Sequence, residues 1–166
     1  MSSNLRQTPS WASKTALEDL LEQVNKSVKA GATLVTGGKG FDMPGFFMQP
    51  TILTDIPKDS VAYSEELFGP VASIYRVHSE DEAVELANAT RFGLGGAICT
   101  ANEKRGQKLA ERIHTGMVFI NHPTGSQPDL PFGGTNQSGY GRELSSLGIE
   151  EFLNKKLIRT SDINDK

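Results

Sequence analysis

The feature that most constrains the fold is an alternation of apolar and amphipathic runs in the middle of the chain. Residues 71–77, 95–100 and 117–121 are short apolar runs, which predict three strands. The two runs between them carry apolar residues at helical spacing and begin with the capping residues Ser79 and Asn102. Strands and helices that alternate with short connections form right-handed crossovers and parallel strands. The sequence therefore predicts an α/β fold, a parallel sheet with helices on both faces.

A longer helix is predicted before this alternation. Thr15 and Glu18 have the spacing of a capping box, and Gly31 favours a helix end because glycine adopts the left-handed conformation. The apolar residues at helical spacing are Leu17, Leu20, Leu21, Val24 and Val28. One face of the helix is therefore predicted to pack on a core. Two short extended runs, residues 32–36 and 50–53, follow it and flank a loop.

The last part of the chain predicts a long loop, a short helix and a strand. Residues 122–144 are rich in Gly and Pro, and a loop of this length in a compact domain is more often functional than idle. Residues 147–153 predict a helix, and residues 156–160 predict a final strand. The predicted boundaries are a loose N-terminus at 1–11, a folded domain at 12–155, and a strand with a polar tail at 156–166.

Composition excludes several classes of function. The 166 residues carry a net charge of −3 with dispersed lysine and arginine, so no nucleic-acid partner is expected. The apolar stretches are too short to span a bilayer, and residues 1–10 lack the pattern of a secretory signal, so no membrane partner is expected either. The single cysteine, Cys99, excludes an internal disulfide and predicts a cytoplasmic protein.

The cysteine and the three histidines suggest no catalytic or metal site. Cys99 lies in an apolar run without a basic neighbour that would activate it, which favours a buried and inert thiol. His78, His114 and His122 lack the spacing of a metal-binding pair, so no metal is predicted. Surface positions are the simplest interpretation, although His122 opens the long loop and stays a candidate pocket residue.

Two motifs with an aromatic residue each allow two interpretations. In residues 65–70, the carboxylate of Glu66 suits a ribose diol, or Glu66 is a surface acid and Phe68 a core residue before a turn. In residues 130–134, Phe132 either faces a pocket or plugs the core.

A third motif, Ser138-Gly-Tyr-Gly-Arg142, looks at first like a phosphate loop. Its spacing differs from G-x-G-x-x-G, and no strand leads directly into it, so phosphate binding is rejected. Tight backbone turns with Arg142 paired to the surrounding structure are predicted instead.

Taken together, the motifs resemble the C-terminal third of an NAD(P)-dependent aldehyde dehydrogenase, from about Ala12 to about Thr160. The runs that carry the resemblance, in the family's order, are residues 28–32, 37–38, 47–53, 66–70, 92–95, 116–121 and 131–144. Residues 130–144 and 148–152 look most like the bacterial succinate-semialdehyde-type enzymes. The resemblance implies the α/β fold of the family's catalytic domain. It also implies descent from an oxidoreductase that acts on an aldehyde.

The resemblance also implies roles for individual residues. Glu66 matches the glutamate that hydrogen-bonds the nicotinamide ribose, and Phe68 matches the aromatic residue beside the nicotinamide. Phe132 matches a residue that lines the aldehyde pocket. The loop from His122 to Leu130 matches the substrate-selecting loop, where Ser126 is a candidate for holding a substrate carboxylate. The cofactor of the intact family is NAD or NADP, and this chain alone is expected to bind neither.

The chain departs from the family in its catalytic groups. In the family, a cysteine thiolate attacks the aldehyde to give a thiohemiacetal, hydride passes to NAD(P)+, and a glutamate-activated water releases the acid. That cysteine, the general-base glutamate and the cofactor loop lie further upstream of Glu66 than this chain extends, and Cys99 matches an ordinary strand position. We therefore expect no catalytic residue and no turnover in the isolated chain.

Two alternatives to an enzyme stay open. Residues 156–160 match the strand near the family's subunit interface, which implies a homo-oligomer. The chain is then an interaction module that associates with itself or with a full-length relative through exposed strand edges and apolar faces. The second alternative is a decayed gene product without a role.

Overall fold

The computed structural model describes residues 13–162, and the chain divides after Ser79 into two compact units. The first unit contains the helices α1 (Lys14–Lys29) and α2 (Val61–Ser64) and the strands β1 (Thr33–Thr36), β2 (Thr51–Thr54) and β3 (Val71–Ser73). Strand β2 lies in the middle, antiparallel to β1 and parallel to β3.

Helix α1 forms where its apolar spacing predicts a helix. Leu20 and Val24 are buried in the core of the first unit, together with Met48 and Leu53. The helix ends at Ala30, and the following Gly31 has a φ of 118°, as the glycine signal indicates. The start differs from the prediction, because the hydroxyl of Ser13 rather than that of Thr15 caps the helix by accepting from the backbone N–H of Ala16 at 3.2 Å.

The second unit contains the helices α3 (Glu80–Asn88), α4 (Glu103–Ala110) and α5 (Ser145–Glu150), the strands β4 (Gly95–Ile98) and β5 (Met117–Ile120), and one 3-10 turn (Asn136–Ser138). Strands β4 and β5 are parallel and in register from Gly95–Met117 to Ile98–Ile120. The predicted cap of α4 is confirmed, because Asn102 Oδ1 accepts from the backbone N–H of Arg105 at 3.0 Å.

Ion pairs and an amide hold α3 to the chain around α4. Arg105 pairs with Glu80, and Arg112 pairs with Asp81. The side chain of Asn88 bridges the turn after α4, donating to the carbonyl of Arg112 and accepting from the N–H of His114, both at 2.8 Å. These contacts fix the crossover between the parallel strands β4 and β5.

The α/β class, with parallel strands and helices, is confirmed, but the pairing of strands differs from the prediction. Strands β3, β4 and β5 do not form one sheet: β3 pairs with β2, and β4 pairs with β5 in a separate sheet. Strand β1 is antiparallel, since it reaches β2 through a connection that reverses the chain. Apolar spacing predicts where strands lie, and their partners depend on contacts that the spacing does not encode.

The predicted strand at residues 156–160 is not formed. These residues pair with no strand among residues 13–162, and Leu157 and Ile158 are 90% and 80% exposed. A strand is defined by hydrogen bonds to a neighbour, and none is present within the described chain. Within that same range, no helix has the length and apolar character needed to cross a membrane.

Candidate functional site

In the first unit, Glu66 and Phe68 lie on a short irregular segment between α2 and β3, which turns at Phe68 because the N–H of Gly69 donates to the carbonyl of Leu67 at 2.7 Å. Leu67 packs against the hydrophobic core, whereas Glu66 is exposed and Phe68 is 79% exposed. The carboxylate and the aromatic ring on either side of Leu67 are therefore both presented to solvent. Phe68 is therefore not a core residue, and the simpler interpretation of this motif is wrong for it.

The segment is fixed at both ends by hydrogen bonds. Before it, the N–H of Glu65 donates to the carbonyl of Val61 at 2.9 Å, which closes helix α2. After it, the N–H of Thr51 donates to the carbonyl of Pro70 at 2.8 Å, which joins the segment to strand β2. An exposed carboxylate on such a fixed backbone suits a ligand with two neighbouring hydroxyl groups, and the ring two residues on suits a flat heterocycle.

In the second unit, Phe132 begins a loop that closes on itself. Phe132 and Glu143 exchange two backbone hydrogen bonds, of 2.8 and 2.7 Å. Within the loop, Arg142 Nη1 donates to the carbonyl oxygens of Gly134 and Gly141 at 2.9 and 2.6 Å. Gly139 and Gly141 have positive φ values of 107° and 85°. These contacts confirm the prediction of tight turns with Arg142 paired to the structure.

The same loop is anchored near the start of the two strands of its unit. The carbonyl of Gly93 accepts from the N–H groups of Gly116 and Thr135, both at 2.9 Å, and the N–H of Gly93 donates to Ser138 Oγ at 3.0 Å. A Cβ atom at Gly116 would lie 1.8 Å from the carbonyl oxygen of Gly133, so only glycine fits there. The backbone of the Phe132 loop is held tightly by these contacts.

Phe132 lines a cavity of about 680 Å³ in the second unit. The other side chains that matter for its chemistry are Leu94, Arg142, Leu144, Ile149 and Phe152. The wall is mostly apolar, with one guanidinium group and the two acidic residues Glu143 and Glu151, and apolar walls with a few polar groups are typical of small-molecule sites. This placement agrees with the interpretation in which Phe132 faces a pocket, and not with the one in which it plugs the core.

His122 and Ser126 lie elsewhere on the second unit. Residues 121–130 are all exposed, and neither side chain lines the cavity at Phe132. His122 Nδ1 is 2.7 Å from the carbonyl oxygen of Pro123, and its ring centroid is 5.8 Å from that of Phe119. The structure therefore brings together Glu66 with Phe68, but not Phe132 with the other two predicted pocket residues.

Cys99 is exposed, so the prediction of a buried thiol is wrong. Strand β4 ends at Ile98, and Cys99 lies just beyond it, where the chain turns toward α4. Apolar neighbours indicate a strand, but they do not show whether another layer covers it. Residues 13–162 contain no cluster of three His, Cys, Asp or Glu side chains that would hold a metal ion.

Sequence reasoning missed the network that holds α2. Ser27, at 0% exposure, continues the buried stripe of Leu20 and Val24 on helix α1. Its Oγ accepts from the backbone N–H of Ala62 in α2 at 2.9 Å. A serine on an otherwise apolar helix stripe is the signal, because a buried hydroxyl needs hydrogen-bond partners.

Comparison with known proteins gives the family. The sequence profile of the aldehyde dehydrogenase family matches residues 4–158, beginning ahead of the boundary predicted at Ala12. This chain belongs to the aldehyde dehydrogenase family.

Its relatives are several times longer. A succinate-semialdehyde dehydrogenase [NADP(+)] of Deinococcus radiodurans is 56% identical over 93% of this chain and 32% of its own length. A protein of the same name from Mycobacterium avium is 50% identical over 89% of this chain and 31% of its own length. The chain thus spans about a third of the length of the curated relatives it matches.

A solved structure agrees with the fold. Succinic semialdehyde dehydrogenase from Streptococcus pyogenes, in complex with NADP+, superimposes with a TM-score of 0.87 and 47% identity. The match covers 91% of this chain and 33% of that protein.

Proposed function

We propose that this chain forms the nicotinamide-side cofactor contact and part of the substrate pocket of an aldehyde dehydrogenase that oxidises succinate semialdehyde with NADP+. The observation that carries the proposal is the fixed segment that presents Glu66 and Phe68 together on its exposed side. The names of the relatives support succinate semialdehyde as the substrate and NADP+ rather than NAD+ as the cofactor.

Glu66 and Phe68 are the residues that would hold the cofactor. In this role the Glu66 carboxylate would accept hydrogen bonds from the ribose hydroxyls, and the Phe68 ring would offer a flat apolar face to the nicotinamide. When bound, NADP+ supplies the acceptor for the hydride of the aldehyde. The chain's own contribution is to orient the nicotinamide ring through a segment whose two ends are hydrogen-bonded to α2 and β2.

The pocket side of the proposal assigns three residues. Phe132 lines an apolar wall, Ser126 donates a hydrogen bond to the substrate carboxylate, and His122 begins the loop that selects the substrate. The exposure of residues 121–130 supports a role in contact with other groups. No residue of this chain is proposed as the nucleophile, because Cys99 lies just beyond β4 without a basic residue beside it in the sequence to activate it.

We further propose a cytoplasmic homo-oligomer, with a partial catalytic domain at residues 12–155 and an interface segment with its tail at 156–166, which would form a strand only by pairing with a second chain. The exposure of Leu157 and Ile158 supports an interface, since both side chains are left uncovered by the described chain. The same observation favours the second candidate function, an interaction module that binds a copy of itself or a full-length relative.

Two assays test the isolated chain. Calorimetry with NADP+ and an absorbance assay for NADPH with succinate semialdehyde should both give no signal. Turnover by the chain, whether or not Cys99→Ala abolishes it, would overturn the proposal. Light scattering after size exclusion should show an assembly, and a monomer would remove the interaction module.

A grafted enzyme tests the role of Glu66. The C-terminal third of the Deinococcus radiodurans relative is replaced by this chain, to which it is 56% identical. The graft should oxidise succinate semialdehyde, and Glu66→Gln within it should raise the KM for NADP+ by about tenfold, as expected for loss of a charge-assisted hydrogen bond. Glu65→Gln is the matched control, and an equal effect of both substitutions would contradict the assignment.

A further inference from the structure

We infer that Ser27 and Tyr75 are positioning residues for the segment Glu66–Phe68, because together they hold helix α2 at its buried residue Ala62. The inference rests on the proposed role of Glu66 in cofactor binding. The inference adds two residues outside the proposed cofactor contact. They lie 39 positions before and 9 positions after Glu66 in the sequence.

Helix α2 is capped by Ser27 and not by its own N-cap residue. Helix α2 begins after Ser60, whose side chain makes no capping hydrogen bond. Ala62 is the second residue of the helix, and the first four N–H groups of a helix have no acceptor within that helix. The N–H of Ala62 donates instead to Ser27 Oγ at 2.9 Å, a residue of helix α1. The cap is therefore a tertiary contact, and α2 is tied to α1 by it.

The hydroxyl of Ser27 is buried, and it both donates and accepts a hydrogen bond. It accepts from Ala62 and donates to the carbonyl of Gln23, one turn earlier in α1, at 2.8 Å. By contrast, Ser60 Oγ is buried and has no hydrogen-bond partner among the described residues. Deleting the Ser27 hydroxyl would leave a second unsatisfied polar group at the start of α2.

Tyr75 holds the other side of the same residue. Its hydroxyl donates to the carbonyl of Ala62 at 3.4 Å, and its ring packs edge-on against Tyr63, with 6.0 Å between centroids. Burial, and to a lesser degree the neighbouring Tyr63, raises the pKa of Tyr75, so the phenol stays a donor at neutral pH. Ala62 is thus held at its N–H by α1 and at its carbonyl by the chain after β3.

A third contact extends the control from α2 to Glu66 itself. Gln23 and Ser27 are four residues apart and share one face of α1. Gln23 Nε2 donates to the backbone carbonyl of Glu66 at 3.5 Å. One turn of α1 therefore contacts both the start of α2 and the backbone of the proposed cofactor ligand.

The length of α2 explains why these contacts matter. Four residues form one turn, and one turn of helix is not stable by itself. If the anchor at Ala62 is lost, α2 and the segment after it should move, while the core around Leu53 and Val24 should persist. A positioning role thus predicts a local loosening, whereas a general contribution to stability predicts a uniform one.

Amide hydrogen exchange by NMR on the full chain tests this, with no cofactor or activity needed. Ser27→Ala should accelerate exchange by about tenfold or more at Ala62 and Glu65, whose N–H groups donate to Ser27 Oγ and to the carbonyl of Val61, the effect expected for one lost buried hydrogen bond. The amides of Leu53 and Val24 should keep their protection. The matched control is Ser64→Ala, which deletes an exposed hydroxyl whose long 3.5 Å hydrogen bond to the carbonyl of Ser60 stays within α2, and it should change exchange far less than Ser27→Ala does.

A second variant keeps the test informative if Ser27→Ala does not fold. Tyr75→Phe removes only the hydroxyl that reaches Ala62 and should loosen the same residues to a smaller degree. In folded Ser27→Ala, the NMR titration of the Tyr75 ring should also move down toward its ordinary pKa of 10.0, as its surroundings open. Uniform acceleration across the chain, or no change at Ala62 and Glu65, would overturn the inference. If the graft shows no role for Glu66 but exchange changes as expected, only the proposed function fails.

Discussion

The Glu66–Phe68 segment of the first unit and the Phe132 loop of the second unit are held in different ways. The first follows helix α2, which the side-chain hydroxyls of Ser27 and Tyr75 contact at Ala62. The second is fixed from inside by backbone hydrogen bonds, glycine packing and one arginine. We therefore expect the Glu66–Phe68 segment to loosen locally when a hydroxyl is lost. The Phe132 loop should instead be disrupted when a glycine gains a side chain.

The largest effect is expected from Gly116→Ala. The added Cβ would lie 1.8 Å from the Gly133 carbonyl oxygen, with backbone rather than a flexible side chain in the way. Since backbone must shift, we expect a loss of about 4 kcal/mol or more in the free energy of unfolding, measured by urea denaturation with circular dichroism. Gly125→Ala is the control, because no atom lies within 4 Å of its added Cβ. A loss below about 1 kcal/mol would show that the loop yields more easily than its glycine packing implies.

A smaller effect is expected from Arg142→Met, which removes the two donors to Gly134 and Gly141 while keeping most of the side-chain volume. Hydrogen bonds from a charged group in a half-buried position are worth about 1.5–3 kcal/mol, and we expect a loss in that range. The same denaturation experiment, with amide exchange at Phe132, measures it. Arg159→Met, at an exposed position near the C-terminus, should stay within about 0.5 kcal/mol of the parent. An unchanged Phe132 amide would mean that the glycines alone hold the loop.

The sequence predicts the parts of this comparison that depend on local spacing. The helices α1, α3 and α4, the starts of β3, β4 and β5, and the pairing of Arg142 follow from capping residues, apolar periodicity and glycine turns. The cap of α2 does not, because its donor and acceptor, Ala62 and Ser27, are 35 residues apart. No local pattern encodes which of two serines, Ser27 or Ser60, caps that helix.

The wrong predictions have a common physical origin. The exposure of Cys99 and the missing strand at residues 156–160 both depend on whether another piece of chain covers or pairs with them. The same holds for the division of the predicted sheet in two, since β3 pairs with β2. Periodicity reports what a segment prefers to form, and tertiary contacts decide what it pairs with.

The smallest effect sharpens the first half of the comparison through pH. Burial raises the pKa of Tyr75 above the 10.0 of a free phenol, so the unfolded chain loses its proton before the folded one does. The stability that this burial contributes is fully present below pH 10 and is lost as the pH rises through the folded-state value. Urea denaturation between pH 8 and 11 should therefore show the parent losing stability faster than Tyr75→Phe, which has no phenol to ionise. Tyr140→Phe, at a fully exposed position, should follow the parent, and identical profiles for all three chains would mean that burial does not raise the pKa of Tyr75 in the folded chain.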